Sequence, residues 1–315
     1  MGIRVLKGGM MTTVQDLGRT GYQSQGFSVS GVMDVRSFKI ANLLLDNPEN
    51  EAVLEFTLIG PTLEFTSETI ISITGGDFRP QINGKPAKMY TAIYMHRGDI
   101  LTFGGARTGT RGYIAFSSYL DVPVVMGSRS TNIKCQIGGY KGRKLEDEDY
   151  IAFRAKRRYL PYYLSRSLDL DEFDQEKITL RVVMGPQEKM FTKEGRETFL
   201  NSEYTVTSEF DRMGCRLEGP FIAYKTTSDI ISDGIAFGSV QVPSHGKPII
   251  LLADRQTTGG YAKIATVVSV DIPKLVQRKT EQKVRFQAVS VEEAQKLLAD
   301  EMKELNDFRS QIYTP

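Results

Sequence analysis

The residues between Glu209 and Ala265 combine polar side chains with glycines, prolines and short apolar strands. Polar groups at the ends of strands are typical of a recognition or catalytic surface on a β scaffold. Carboxylates can exchange protons or accept an amide N–H, and a guanidinium can stabilise developing negative charge. We therefore predict a site in this stretch, built from these residues: Asp211, Arg212, Asp233, Gln241, Asp254, Gln256 and Tyr261.

His245 lies in the same stretch, in the turn 243–248 between two apolar strands. Its imidazole is as compatible with a substrate contact as with a structural role in the turn. Neither a G-x-S-x-G nucleophile elbow nor a G-x-G-x-x-G dinucleotide fingerprint occurs in the chain. His245 is therefore a candidate substrate contact and not the base of a predicted triad.

A second polar cluster is predicted from two earlier blocks of sequence. Residues 15–34 carry Arg19 and Asp34 among four glycines, and Asn42 follows on a predicted helix. Residues 125–132 place Arg129 and Ser130 in a run of hydroxyl side chains. A guanidinium fork among hydroxyls and backbone amides can receive a carboxylate or an amide oxygen. We predict that these residues also contact the substrate.

Several other classes of function are disfavoured. The glycine-rich segment 103–112 lacks the G-K-[ST] ending of a phosphate loop and leads into another strand, so a hairpin is predicted there. The two histidines and the two cysteines are far apart, which predicts no metal site. A formal net charge of +2 over 315 residues gives no reason to expect nucleic acid or a membrane as partner.

The sequence predicts a cytoplasmic protein. No apolar run has the length of a membrane span, and the N-terminal residues lack the apolar region of a signal peptide. Without export, Cys135 and Cys215 are expected to be reduced thiols.

Most of the chain has the pattern of strands and turns. Apolar alternation or short apolar runs predict strands over 99–103, 112–116, 178–185, 248–253 and 263–270. The pair Asn83-Gly84 predicts a two-residue hairpin turn. The fold class is therefore expected to be mainly β.

Few helices are predicted. Asp34 can cap a helix from Val35, and Pro186 can begin another. Ser290 and Glu293 form a capping box that opens a last helix. Its apolar residues fall three or four apart: Val291, Ala294, Leu297, Leu298, Met302, Leu305 and Phe308. We expect this helix to pack on the β scaffold or on a partner.

The organisation along the chain follows from these patterns. Residues 158–177 have no clean period and end in an acidic stretch before a new strand. We predict a first β domain at 1–157, a linker at 158–177, a second β domain at 178–289, and a C-terminal helix and tail at 290–315.

Five motifs carry a resemblance to a known family. They are DLGRTGYQSQGFSVSGVMD, VMGSRST, GGYKGRKL, DRMGCRLEGP and SDGIAFGSVQVPSHGKPIILLADRQTTGGY. In this order, across about residues 3–285, the chain resembles the allophanate-hydrolase-subunit-2 family. The resemblance implies two cyclophilin-like β-barrel domains, with a ligand site in the cleft between them. It also implies that Asn42 and Asp254 are important for substrate and biotin in the carboxylase relatives.

The family includes the C subunit of bacterial 5-oxoprolinase and the carboxyltransferase part of urea amidolyase. The resemblance favours the first, because the chain has no biotinylation motif and no biotin carboxylase domain. It implies two partners, namely a B subunit of the allophanate-hydrolase-subunit-1 family and an A subunit of the LamB/YcsF family. Together these would open 5-oxoproline to L-glutamate with ATP. Asp254, Asn42 and Arg212 are the predicted catalytic residues.

Two other functions stay open. One is biotin-dependent carboxyl transfer of the urea carboxylase type, with the biotin carboxylase and the biotin carrier supplied by separate proteins. The other is a non-catalytic role, in which the chain binds and antagonises a histidine-kinase inhibitor related to the B subunit.

Overall fold

The computed structural model describes residues 1–156, 159–170 and 173–312, and it divides into two compact units. The first unit comprises 1–20, 30–174 and 303–315, and the second comprises 21–29 and 175–302. Residues 21–29 therefore group with the second unit, although they precede most of the first in sequence. Of the predicted linker and tail, residues 158, 171, 172 and 313–315 lie outside the described residues.

The first unit is built from two antiparallel sheets and one helix. The strands are β1 (Gly2–Lys7), β2 (Met11–Gln15), β3 (Val53–Thr57), β4 (Thr62–Phe65), β5 (Thr69–Gly75), β6 (Gln81–Ile82), β7 (Lys85–Pro86), β8 (Ala92–Met95), β9 (Ile100–Thr102), β10 (Arg111–Phe116) and β11 (Tyr150–Ala152). One sheet has the order β11-β1-β4-β9-β6-β7 and the other has the order β2-β3-β10-β5-β8.

Strand β10 shows how the first unit is layered. Ile114 and Phe116 join the core to which both sheets contribute. Tyr113 and Ala115 alternate with them and pack with helix α1 (Val35–Leu44) on the other side. Because successive side chains of a strand point to opposite faces, a strand covered on both faces reads as a continuous apolar run.

The second unit contains a closed seven-stranded barrel of order β12-β19-β16-β17-β14-β13-β20. Its elements are β12 (Lys177–Met184), α2 (Lys193–Asn201), β13 (Tyr204–Phe210), β14 (Gly214–Glu218), β16 (Ser239–Gln241), β17 (Ile249–Leu251), β19 (Lys263–Val267), α3 (Ile272–Val276) and β20 (Lys283–Ala288). A separate two-stranded sheet pairs β15 (Asp229–Gly234) with β18 (Thr258–Tyr261). The mainly β prediction is confirmed. The second unit forms a closed barrel, and the strands of the first unit form two sheets.

Local predictions are mostly confirmed. Asn83 and Gly84 form the turn between β6 and β7, and the Asp34 carboxylate accepts the backbone N–H of Ser37 at 2.8 Å to cap α1. The prediction of a helix from Pro186 is wrong. Helix α2 begins at Lys193, because the Thr192 hydroxyl accepts the N–H of Gly195 and caps it there.

The last helix is α4 (Val291–Ile312), and its predicted capping box is confirmed. Ser290 and Glu293 exchange hydrogen bonds of 2.7 and 3.1 Å between side chain and backbone. Of the predicted apolar stripe only Leu305 and Phe308 are buried, and together with Ile312 they pack with Ile40 and Leu44 of α1. Within the described ranges, none of the helices is both long enough and apolar enough to span a membrane.

Removing the Phe308 ring is expected to destabilise the first unit. Phe308 is 9% exposed, and Phe308→Ala should lower the free energy of unfolding by about 3 kcal/mol, a usual cost for deleting a packed ring. Met302→Ala, on the same helix but 55% exposed, should change it by less than about 0.5 kcal/mol. Urea unfolding followed by far-ultraviolet circular dichroism measures both, and equal losses would contradict the packing described.

Candidate functional site

Two predicted catalytic residues of the second unit form an ion pair. Arg212 lies in the turn between β13 and β14, and Asp254 lies in the loop after β17. The Arg212 Nε donates to Asp254 Oδ2 at 2.9 Å and Nη2 donates to Oδ1 at 3.2 Å. Both side chains are nearly buried, with 12% and 11% exposed. A bidentate guanidinium–carboxylate pair fixes orientation as well as distance.

Backbone hydrogen bonds run beside this ion pair. The Asp254 N–H donates to the Arg212 carbonyl oxygen at 2.7 Å, and the Leu252 N–H donates to the Met213 carbonyl oxygen at 2.9 Å. The turn itself is shaped by Asp211, whose carboxylate accepts the N–H groups of Met213 and Gly214 at 2.8 and 3.1 Å. This use of an aspartate side chain is an Asx turn. The β13–β14 turn and the loop after β17 are thus held together by the ion pair and two backbone hydrogen bonds.

These two segments border a cavity of about 530 Å3 on the barrel. Its size lies in the range of small-molecule sites. Four of the predicted substrate-binding residues line it: Asp211, Gln241, Gln256 and Tyr261. Gln241 is 6% exposed and its amide donates to the Tyr261 carbonyl oxygen at 3.3 Å, whereas Gln256 is exposed. The cavity therefore offers amide and phenol groups beside the apolar Ile235 and Leu251.

Three charged residues that line this cavity were not predicted. They are Glu209, Arg216 and Arg255. The Arg216 Nε lies 2.8 Å from Glu209 Oε2 in a pair that is largely exposed. Arg255 differs from Arg216 because it is buried, with only 8% of the residue exposed. The sequence signal that could have identified Arg255 was its position between the predicted Asp254 and Gln256, at the end of a strand.

Two further predicted residues of the second unit do not line the cavity. His245 is exposed in the turn between β16 and β17, where its Nδ1 accepts the N–H of Lys247 at 3.3 Å. Asp233 is on β15 and accepts a hydrogen bond of 2.7 Å from the buried Lys263 ammonium. That hydrogen bond lowers the pKa of Asp233. The structure gives both residues local partners outside the cavity.

In the first unit, Ser130 and the backbone of Arg129 bind the carboxylate of Asp16, and Arg19 contacts the same loop. Asp16 Oδ1 accepts the Ser130 hydroxyl at 2.5 Å, and Oδ2 accepts the Arg129 backbone N–H at 2.6 Å. Ser128 also donates its hydroxyl to Oδ1, at 2.6 Å. The fully buried Arg19 donates to the carbonyl oxygen of Ser130. Asp16 therefore organises the loop around 128–130.

Arg129 differs in exposure from the fully buried Arg19. It is partly exposed, and its buried Nε has no hydrogen-bond partner among the residues described. Gly138 packs against the same loop, because a Cβ at that position would lie 2.1 Å from the Ser130 carbonyl oxygen. The backbone of the loop is thus tightly packed beside Gly138.

Asn42 and Asp34 are buried and are used by the fold of the first unit. The Asn42 amide donates to the Glu51 carbonyl oxygen at 2.8 Å, and its side-chain oxygen accepts from Asn47 at 3.0 Å. Asp34 caps α1 and also accepts the Ser37 hydroxyl at 2.7 Å. Their predicted contacts with substrate stay predictions.

Across the described ranges, no group of three or more His, Cys, Asp or Glu residues is arranged to hold a metal ion.

Comparison with known proteins gives consistent results. A family model described as carboxyltransferase domain, subdomain A and B, matches residues 25–288. The chain is 33% identical over 308 residues to the C subunit of 5-oxoprolinase from Escherichia coli (strain K12), and the match covers 96% of each chain. It is 31% identical over 311 residues to urea amidolyase of Lachancea kluyveri, covering 92% of this chain and 17% of that protein.

A solved structure extends the similarity to the fold. The crystal structure of the K. lactis urea amidolyase superposes with a TM-score of 0.90 and 29% identity. The match covers 98% of this chain and 20% of that chain.

The ion pair between Arg212 and Asp254 is expected to show strong energetic coupling. Arg212→Gln and Asp254→Asn should each lower the free energy of unfolding by about 2 kcal/mol, because each leaves a nearly buried charge unpaired. The double variant should lose little more than either, which gives a coupling energy of about 2 kcal/mol. Denaturant unfolding of the four proteins measures it.

The pair Glu209–Arg216 provides a matched control on the same cavity. It is exposed, so the corresponding cycle of Glu209→Gln and Arg216→Gln should give a coupling energy below about 0.5 kcal/mol. Equal coupling in the two cycles would show that the Arg212–Asp254 pair does not hold the two segments together.

Proposed function

We propose, since this chain belongs to the family of carboxyltransferase domains with subdomains A and B, that it is the C subunit of an ATP-dependent 5-oxoprolinase. The observation that carries the proposal is its correspondence with a protein of that name over nearly the whole length of both chains. The complex would contain an A subunit of the LamB/YcsF family and a B subunit of the allophanate-hydrolase-subunit-1 family. The complex would act in the cytoplasm.

The reaction would break the amide C–N bond of a five-membered lactam. Water adds a hydroxyl to the carbonyl carbon, the ring nitrogen takes a proton, and ATP hydrolysis in the complex drives the step. A lactam carbonyl resists attack because it is resonance-stabilised, so catalysis needs donors that stabilise the developing oxyanion. The Gln241 and Gln256 amides and the Tyr261 hydroxyl line one cavity and can meet a cyclic amide there.

The contacts of Arg212 and Asp254 suggest a positioning role for these two residues and not a direct reaction with the substrate. Both carboxylate oxygens of Asp254 accept hydrogen bonds from Arg212. Neither residue lines the cavity, although Asp211, Met213 and Arg255, their neighbours in sequence, do. We propose that the pair positions the segments that carry the substrate-binding groups. Asn42, Arg19, Asp34, Arg129, Ser130 and His245 remain proposed contributors of the site.

Carboxyl transfer is the second candidate function. The superposition with a urea amidolyase structure over almost the whole chain favours it. In that case the cofactor would be carboxybiotin on a partner protein, and the acceptor would be a small amide such as urea. The discriminating assay supplies a biotin carboxylase and a biotinylated carrier, and measures ATP-dependent carboxylation of urea. Product formation that requires this chain would favour carboxyl transfer over lactam opening.

Omitting one protein at a time tests the leading proposal. The purified A and B subunits together with this chain should convert 5-oxoproline to glutamate with ATP, and omission of this chain should abolish the conversion. Glutamate is quantified by chromatography after a fixed time. Conversion that survives without this chain would refute the proposed function.

Replacing Asp254 tests the role of the ion pair. In the assembled complex, Asp254→Ala should lower kcat/KM for 5-oxoproline by about a hundredfold, a usual effect of misplacing substrate-binding groups by about 1 Å. Asp300→Ala, at an exposed position on α4, is the control and should leave kcat/KM unchanged. Wild-type turnover by the Asp254 variant would show that the reaction does not need this residue.

A further inference from the structure

Arg255 is a buried cation at the wall of the cavity in the second unit. Its Nε donates to the Ile235 carbonyl oxygen at 3.0 Å, and its Nη1 donates to the Leu252 carbonyl oxygen at 3.2 Å. The ring of Phe237 lies 5.6 Å from the guanidinium carbon. These contacts fix the orientation of the group. Carbonyl dipoles and a ring face compensate a full positive charge only in part.

No carboxylate of the described residues lies within ion-pair distance of Arg255. The acids around it have other partners: Asp254 pairs with Arg212, Glu209 pairs with Arg216, and Asp211 accepts two backbone N–H groups. Arg212 and Arg216 thus have carboxylate partners, whereas the more buried Arg255 has none in the described part of the chain. Burial lowers the pKa of Arg255, which means that the surroundings oppose its charge. A guanidinium nevertheless stays protonated.

A buried charge without a counter-ion is costly, and a desolvated charged group in a cleft is a candidate for a functional site. The position of Arg255 meets this condition because the residue faces a cavity and not the barrel core. Its two bonded nitrogens hold the fork in place, so little conformational entropy remains to be lost when an anion binds. The chemistry of such a group favours a planar carboxylate.

The other polar groups of the cavity define the rest of the ligand. Gln241 and Gln256 carry amides that can pair with an amide N–H and C=O, and Ile235 and Leu251 offer apolar contact. A compact ring that bears both an amide and a carboxylate satisfies all three kinds of group. A neutral amide such as urea or 2-pyrrolidinone would leave Arg255 without a counter-ion.

We propose that Arg255 is the carboxylate receptor of this cavity and selects small cyclic amides that carry a carboxylate over neutral amides. The identification of 5-oxoproline as that ligand rests on the proposed function. The receptor role itself rests on the burial of Arg255 and on its missing counter-ion.

The test compares two ligands that differ only in the carboxylate. Binding of 5-oxoproline and of 2-pyrrolidinone to the assembled complex is measured by isothermal titration calorimetry. Wild-type protein should bind 5-oxoproline more tightly. Arg255→Gln should weaken that binding about tenfold to a hundredfold, the range for hydrogen bonds to charged groups. Its affinity for 2-pyrrolidinone should change less than about twofold, because that ligand has no carboxylate for Arg255 to bind.

Two further variants separate recognition from folding. Arg255→Lys keeps the charge but loses the fork, so it should restore only part of the preference for 5-oxoproline. Arg285→Gln removes a charge from an exposed position on β20 and should leave the preference unchanged. The ratio of the two affinities is the readout, because partial unfolding of a variant lowers both affinities together and leaves their ratio intact.

The outcomes distinguish this inference from the proposed function. If the wild-type complex binds 5-oxoproline no better than 2-pyrrolidinone, or if Arg255→Gln leaves the ratio unchanged, the receptor role is overturned even where turnover is normal. If the ratio depends on Arg255 but the complex does not convert 5-oxoproline, the proposed function fails and the carboxylate site stands.

Discussion

The cavity of the second unit depends on the ion pair between Arg212 and Asp254. The two residues lie in different connections of the barrel, one between β13 and β14 and the other after β17. Barrel hydrogen bonds fix the strands but leave such connections free to vary. The bidentate pair and the backbone bonds beside it remove that freedom. Asp211, Arg255 and Gln256 are carried by the two segments that these contacts join.

Charge compensation divides the arginines around this cavity into two kinds. Arg212 and Arg216 have carboxylate partners and act within the protein, one nearly buried and the other on the surface. Arg255 is buried among carbonyl oxygens and an aromatic ring and has no such partner in the described part of the chain. The electrostatic cost of that arrangement is what a bound carboxylate would relieve. The same barrel thus supplies rigidity through one arginine and ligand affinity through another.

Local sequence signals predicted the elements well, because their causes are local. The alternation in β12, the Asn83-Gly84 turn and the capping box at Ser290 each depend on residues close together in the chain. The helix predicted from Pro186 was placed wrongly, since the threonine cap at Thr192 competes with proline as a start signal. The N-terminal part of the apolar stripe on α4 is exposed because exposure depends on what packs against the helix. The periodicity of the sequence does not predict that packing.

Sequence reasoning proposed more candidate site residues than the structure brings together at the cavity. The structure brings three of the polar residues predicted at strand ends, Gln241, Gln256 and Tyr261, to one cavity, and their contacts with substrate stay predictions. The same reasoning could not distinguish these residues from Asn42, whose side-chain amide is buried and hydrogen-bonded to the loop that follows its own helix. Arg255 was missed for a physical reason: burial and a missing counter-ion are properties of three-dimensional packing. Sequence spacing carries neither.

A crystal structure of the assembled complex with 5-oxoproline would show whether the cavity of the second unit binds this ligand. We expect electron density for the ligand in that cavity, with its carboxylate within hydrogen-bonding distance of the Arg255 guanidinium. We also expect the ring amide to face Gln241 or Gln256, with the Arg212–Asp254 pair intact. Ligand density elsewhere, with this cavity empty, would contradict this expectation.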